Sequence, residues 1–171
     1  DQFSDKVNEW GFNQSTFSHG GAYVDLDNDG DLDLVTNNTD DVAGIYRNNC
    51  EKLIANKYIL IKLNGKKGNA NGIGAKIYVY AANDHYYLEN ITVRGYQSSN
   101  NTDLHLGLGK HQKVDSLRVV WPDQKSQLVI NNLANSTVTL SYQDAETKTP
   151  VSGTPFTYLV ETKILDFEHI E

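Results

Sequence analysis

The feature that most constrains the fold is a series of short apolar segments, about ten residues apart, that begins at residue 58. Several of them alternate apolar and polar residues with a period of two, which is typical of half-buried strands. Turn-forming pairs such as Asn64-Gly65, Asn71-Gly72 and Pro122-Asp123 separate them. The seven segments are 58–64, 75–82, 86–94, 104–108, 116–121, 128–131 and 137–142. We therefore predict an all-β chain that forms an antiparallel β-sandwich or barrel, with little helix.

The first fifty residues have a different pattern. Strand-like segments at 20–24 and 32–36 flank an acidic stretch, and the apolar pair Ile45-Tyr46 follows. This order predicts a hairpin-like unit built around an acidic loop. Near the other end, prolines, glycine and hydroxyl residues are typical of a linker. We predict three parts: a hairpin unit at 1–50, a sandwich at 51–143, and a linker with the start of a further element at 144–171.

The net charge of the chain is concentrated in one short segment. The formal charge is −7, from 22 acidic and 15 basic side chains. Seven of the acids lie in a window that contains no Lys or Arg: Asp25, Asp27, Asp29, Asp31, Asp33, Asp40 and Asp41. The remaining 15 acids balance the 15 bases. The acidity is therefore a local feature and indicates a local role.

The spacing of these acids predicts a metal site. Residues 25–33 have the form D-x-D-x-D-G-x-x-D. Carboxylates at positions 1, 3 and 5 can converge on one hard cation, the glycine permits a sharp turn, position 7 offers a backbone carbonyl, and position 9 adds an oxygen. Oxygen ligands favour Ca²⁺ and, less strongly, Mg²⁺ or Mn²⁺. We predict a structural Ca²⁺ bound by Asp25, Asp27, Asp29, Asp31 and Asp33.

Two alternatives bear on this site. An EF-hand would place Glu where Thr36 stands and would have flanking helices, whereas strand-like segments flank this loop. A solvated acidic turn would leave five carboxylates in nine residues to repel one another without a cation. Asp40 and Asp41 lie outside the motif, and we expect them to be solvated.

The same residues resemble two known families. The segment GGAYVDLDNDGDLDLVTNN, followed by GIYRNN, resembles the calcium-binding FG-GAP/VCBS-type repeat of propeller blades. Residues 58–142 resemble the ASPIC/UnbV domain of cartilage acidic protein-like and bacterial surface proteins. The segments that carry this second resemblance are YILIKLNG, GNANGIGAKIYVY, ITVRGYQSSNNTDLHLGLG and VVWPD, with Gln124 where the family pattern has Gly.

The resemblance implies one blade-type repeat before the sandwich. It implies ligation through the side chains of Asp25, Asp27, Asp29 and Asp33 and through the carbonyl of Asp31. One blade cannot close a propeller, so the resemblance also implies part of a longer protein. A chain that begins at Asp1 and contains no methionine agrees with that expectation.

Several function classes have little support in the sequence. No apolar run approaches the ~18 residues of a membrane span, so we predict no membrane insertion. The glycine-rich segment 68–76 lacks the Gly-Lys-Ser/Thr of a phosphate-binding loop, and it is followed by a strand-like segment. The five histidines have no metal-ligand spacing, and we expect His105 to be a framework residue. We therefore predict a non-enzymatic protein.

We predict a calcium-binding extracellular or cell-surface interaction or adhesion module, with a protein or carbohydrate as partner. The first alternative is a carbohydrate-binding accessory domain of a bacterial surface system, because ten tyrosines suit sugar stacking or protein recognition. The second is an RNA-binding domain, whose cations would be Lys66, Lys67, Lys76 and Arg94. A pI near 5.1 disfavours nucleic acid. Cys50 is expected to be a small apolar residue, with an intermolecular disulfide as the alternative.

Overall fold

The computed structural model describes residues 3–12, 14–53 and 55–146. Within these residues the secondary structure is almost entirely β, which confirms the predicted class. The strands are β1 Ser18–Val24, β2 Asp33–Asn38, β3 Gly44–Tyr46, β4 Lys57–Asn64, β5 Lys76–Ala81, β6 Asp84–Glu89, β7 Val93–Gly95, β8 Ser98–Ser99, β9 Leu104–Gly109, β10 Lys113–Val120, β11 Ser126–Leu133 and β12 Ser136–Ser141. One helical turn, α1, spans Cys50–Leu53, and a 3₁₀ turn spans Tyr142–Asp144. The predicted third part, 144–171, lies almost wholly outside the described residues.

Two sheets enclose the main core. One has the order β11-β10-β5-β6, and the other has the order β12-β4-β9. The alternating apolar residues of both sheets point inward, and each fully buried aliphatic side chain contributes about 1.5–3 kcal/mol. The fully buried aliphatic side chains are Ile59, Ile61, Ile77, Val79, Leu108, Val114, Leu117, Val119 and Leu140. The sheets remain separate in the described part of the chain, so the molecule is a sandwich and not a closed barrel.

One strand pair departs from the antiparallel pattern. β12 runs parallel to β4, with Ser136 opposite Ile59, whereas the other pairs in the two sheets are antiparallel. The two residues after β11 carry the chain across to the other sheet instead of closing a hairpin. Asn135 fixes this crossing, because its backbone N–H donates to the Tyr58 carbonyl at 2.7 Å and its side chain accepts from the Tyr58 N–H at 3.2 Å.

The N-terminal unit is a three-stranded antiparallel sheet of order β1-β2-β3, one strand larger than a hairpin. β1 and β2 pair from Ser18 with Asn38 to Val24 with Asp33, and the acidic loop joins them at that last pair. The edge of β1 that does not pair with β2 forms a hydrogen bond with a side chain: the Gly21 N–H donates to Ser98 Oγ at 3.1 Å.

Two local details differ from the sequence pattern for clear reasons. The predicted strand 86–94 ends at Glu89, because Asn90 turns inward: it is 1% exposed and its side-chain amide donates to the Asn71 carbonyl at 2.7 Å. In the β10–β11 turn, Gln124 has φ of 70°. It thus adopts the left-handed conformation that favours the glycine of the family pattern.

Candidate metal centre

The acidic loop folds over its first carboxylate. Asp25 Oδ1 accepts the Asp29 N–H at 3.2 Å, and Asp25 Oδ2 accepts the Gly30 N–H at 3.1 Å. Asn28 and Gly30 have φ of 59° and 97°, so the chain reverses tightly there. As a result, one carboxylate oxygen from each of Asp25, Asp27 and Asp29 lies within 4.8 Å of the others. Three of the five predicted ligands therefore converge.

The other two predicted ligands occupy different positions. Asp33 is 3% exposed, and its carboxylate accepts the N–H groups of Leu26 at 3.0 Å and Asn48 at 2.8 Å. It joins the two ends of the loop and lies in neither group of converging acids. Asp31 forms a second group with Asp29 and Glu51, again within 4.8 Å. Asp31 Oδ1 is buried without a hydrogen-bond partner.

Two residues of the site were not anticipated from the sequence. Arg47 places Nη2 2.7 Å from Asp27 Oδ2 and 3.1 Å from Asp29 Oδ2. Glu51 follows in α1, and its N–H donates to Asp31 Oδ2 at 3.3 Å. The sequence signal that could have identified them is the segment after β3. This segment lies against the acidic loop, because the Asn48 N–H donates to Asp33. Its only charged residues near the predicted site are Arg47, Glu51 and Lys52.

The electrostatics of the loop reflect crowded acids. Desolvation raises the pKa of Asp27, although the nearby Arg47 acts in the opposite direction. A hydrogen bond from Arg47 lowers the pKa of Asp29, and that same contact raises the pKa of Arg47. Desolvation also raises the pKa of Asp31. One guanidinium thus offsets only part of the negative charge.

The donor set fits a hard divalent cation. The converging atoms are carboxylate oxygens, with no nitrogen or sulfur ligand among them, and Ca²⁺ prefers this set. The unpartnered oxygen of Asp31 is a further donor nearby. A cation between Asp27 and Asp29 would share both carboxylates with Arg47. Asp40 and Asp41 are exposed and belong to neither group.

The loop is docked on the sandwich through Gly30. His105 Nε2 donates to the Gly30 carbonyl at 2.9 Å, and the His105 ring stacks on Tyr58 with centroids 5.2 Å apart. The Tyr58 ring lies so close to Gly30 that an added Cβ would be 2.1 Å from Tyr58 Cε1. Tyr58 and His105 belong to the outer faces of β4 and β9. Cavities of about 240 and 560 Å³ flank this contact, and His105 lines both.

Most strands of the sandwich lie in a part of the chain that is similar to a known protein family. Residues 65–147 match the family model ASPIC and UnbV. The matched ASPIC/UnbV segment contains β5 to β12 and supports that part of the resemblance. No curated protein matches the chain. The match does not reach the acidic loop, so the FG-GAP/VCBS part stays a prediction.

Two of the cations named for the RNA-binding alternative have partners within the matched segment. Lys66 pairs with Asp123 at 2.8 Å, and Arg94 donates to the Glu89 carbonyl at 3.2 Å. Tyr86 packs against the core, whereas Tyr87 lies on the outer face of the same strand. Cys50, outside the segment, is partly buried with a free thiol. No helix in the described residues is long and apolar enough to span a membrane.

Proposed function

We propose that this chain is a non-enzymatic, calcium-binding interaction or adhesion module in which Ca²⁺ has a structural role. The observation that carries the proposal is the convergence of Asp25, Asp27 and Asp29 oxygens within 4.8 Å. The loop between β1 and β2 supplies only hard oxygen donors, as a calcium site requires. The motif around it supports an FG-GAP/VCBS-type repeat, which we include in the proposal.

Different residues of the site have different roles in this proposal. Asp25 organises the turn by accepting two backbone N–H groups, while Asp33 joins the loop ends. Bound Ca²⁺ supplies the positive charge that offsets the converging carboxylates. Gly30 then connects the ordered loop to His105 and Tyr58 on the sandwich. Through this connection, metal binding would hold the N-terminal unit and the sandwich in one arrangement.

We also propose an extracellular or cell-surface location. The ASPIC/UnbV match supports it, because the resemblance is to proteins of cell surfaces. Free Ca²⁺ outside cells suits a structural site: extracellular modules bind Ca²⁺ with Kd of about 10⁻⁴–10⁻³ M.

Titration calorimetry with Ca²⁺ tests the proposal. We expect one site in the unaltered chain and loss of that site in Asp27→Ala. Asp40→Ala is the matched control, because it removes the same charge from an exposed acid outside both groups. Free Ca²⁺ at 100 times Kd should stabilise the fold by about 2.7 kcal/mol. The melting temperature should therefore fall in EDTA. An EDTA melting curve identical to the calcium curve would overturn the proposal.

A further inference from the structure

The outer face of the four-stranded sheet displays a continuous group of aromatic and apolar side chains. The strand register places Leu128, Arg118, Tyr78 and Tyr87 in one row across the sheet. The next row contains Ile130 and Tyr80 and ends at His85, whose ring lies 4.9 Å from that of Tyr80. All these side chains point away from the core, since their strand neighbours Ile77, Val79, Leu117 and Val119 are buried. We call the group Tyr78, Tyr80, Tyr87, Arg118, Leu128 and Ile130 the tyrosine face.

In the described part of the chain, three members of the tyrosine face are exposed to solvent, and the other three, Tyr78, Tyr80 and Arg118, are half-buried. Ile130 is 63% exposed, Leu128 is 52% exposed and Tyr87 is 43% exposed. The N-terminal unit does not cover it, because that unit docks on β4 and β9 of the other sheet. A contiguous exposed apolar group of this kind marks an interaction surface more often than scattered apolar residues do.

The charge on the face disfavours an ionic partner. Arg118 is the one formal charge among its six members. In the adjacent row, Lys76 lies opposite Glu89, and the Tyr87 hydroxyl donates to Glu89 at 3.3 Å. Nucleic acid and anionic membranes need several cations at the contact, because phosphate neutralisation supplies most of their affinity. This face offers a net charge near +1 and therefore suits a neutral ligand.

The size of the face disfavours a folded protein partner. Four strands about 4.8 Å apart and five residues with a rise of about 3.3 Å give a backbone footprint of roughly 200 Å². A specific protein interface buries about 800 Å² on each partner. Even with side chains spread at the rim, the face is well below that area. It matches a narrow, extended ligand.

We propose that the tyrosine face binds a neutral sugar chain. Tyrosine rings present flat apolar surfaces to the C–H faces of sugar rings, and a tyrosine hydroxyl can exchange hydrogen bonds with sugar hydroxyls. Arg118, at the centre of its row, is a further donor. Leu128 and Ile130 extend the apolar floor along the edge strand. The inference does not rest on the calcium site, which lies in the N-terminal unit against the other sheet.

The first test is binding to an array of neutral and acidic glycans. The second is electrophoresis of the protein through gels that contain soluble neutral polysaccharides related to the glycans that bind on the array. Laminarin, xylan and galactomannan serve as first gels and alginate as the acidic one, all with Ca²⁺. We expect retardation by a neutral glycan and about a tenfold loss of affinity in Tyr87→Ala. Tyr96→Ala should bind normally, because Tyr96 is 67% exposed in the turn between β7 and β8, away from the face.

Three outcomes would overturn the inference. They are no binding across the array and gels, binding only to acidic glycans, and binding that Tyr87→Ala leaves unchanged. Sedimentation equilibrium supplies a further check. A dimer that Tyr87→Ala dissociates would identify a second copy of the chain as the occupant and would also overturn the assignment. Calcium titration of Tyr87→Ala should remain normal, so failure here is distinguishable from failure of the calcium proposal.

Discussion

At the scale of single residues, Gly30 is constrained in two ways. It combines a φ of 97° with a Tyr58 ring in the space a side chain would need. Its carbonyl is also bonded to His105. The sequence predicted the turn but gave no sign that an aromatic ring closes over it, because Tyr58 is far away along the chain.

Gly30→Ala should therefore destabilise the fold through two effects. The left-handed conformation costs a non-glycine residue about 1–2 kcal/mol, and displacement of the Tyr58 ring adds roughly 1–3 kcal/mol. Gly68→Ala is the matched control, since Gly68 has φ of 90° but no atom within 4 Å of an added Cβ. Urea unfolding of both variants measures the difference. Equal losses of unfolding free energy in the two variants would show that the Tyr58 ring moves aside without destabilising the fold.

At the scale of elements, the turn between β10 and β11 is tied to two other parts of the sandwich. Asp123 accepts a hydrogen bond from Lys66 in the β4–β5 loop at 2.8 Å. It also accepts one from the Tyr142 hydroxyl at the 3₁₀ turn, at 2.5 Å. The hydrogen bonds from Lys66 and then Tyr142 lower the pKa of Asp123 from 3.8 to about 2.

This contact predicts a specific pH dependence. A carboxyl whose folded-state pKa is depressed adds stability above its unfolded pKa of 3.8, and that contribution is lost as pH falls through about 2. Asp123→Asn should therefore reduce stability at pH 5 and have little effect near pH 2. Chemical unfolding of both proteins across this range measures the change. A constant difference at every pH would exclude the titration of Asp123 as its cause.

The elements also show what the sequence could predict. Period-two alternation located the sandwich strands β4, β5 and β10 because each has one buried face, as in β5, where Ile77 and Val79 are buried between outward tyrosines. The parallel β4–β12 pair was not predictable, because strand direction depends on a crossing that Asn135 fixes through a distant partner. Contacts between residues close in sequence were easier to predict than contacts between distant ones. The loop motif predicted that Asp25, Asp27 and Asp29 lie together, whereas Arg47 reaches Asp27 and Asp29 only because β3 brings the chain back to the loop.

At the scale of the whole molecule, the proposed metal loop is in direct contact with the sandwich. The contact runs from the loop through Gly30 to His105 in β9 and Tyr58 in β4. If docking and metal binding favour the same loop conformation, each must strengthen the other, because coupling between two sites is reciprocal. The affinity for Ca²⁺ then depends on a residue that touches no carboxylate of the loop.

His105→Phe tests this coupling. Phenylalanine keeps a ring for stacking on Tyr58 but cannot donate to the Gly30 carbonyl. We expect the affinity for Ca²⁺ to fall about fivefold or more, a typical lower bound for coupled sites. His111→Phe is the matched control, because His111 contacts Asp84 instead. Calorimetry of the two variants gives the comparison, and unaltered affinity in His105→Phe would mean that the loop binds metal without help from the sandwich.

The position of Arg47 has a consequence for the protein in its metal-free state. Its guanidinium lies against Asp27 and Asp29, two of the carboxylates that would hold the metal. It is therefore a resident counterion, present from the moment the chain is made. If the loop binds Ca²⁺ as proposed, a newly synthesised copy would close the loop around this arginine in calcium-poor surroundings and would exchange it for the divalent ion later. Folding and the proposed metal binding would then not have to happen in the same compartment.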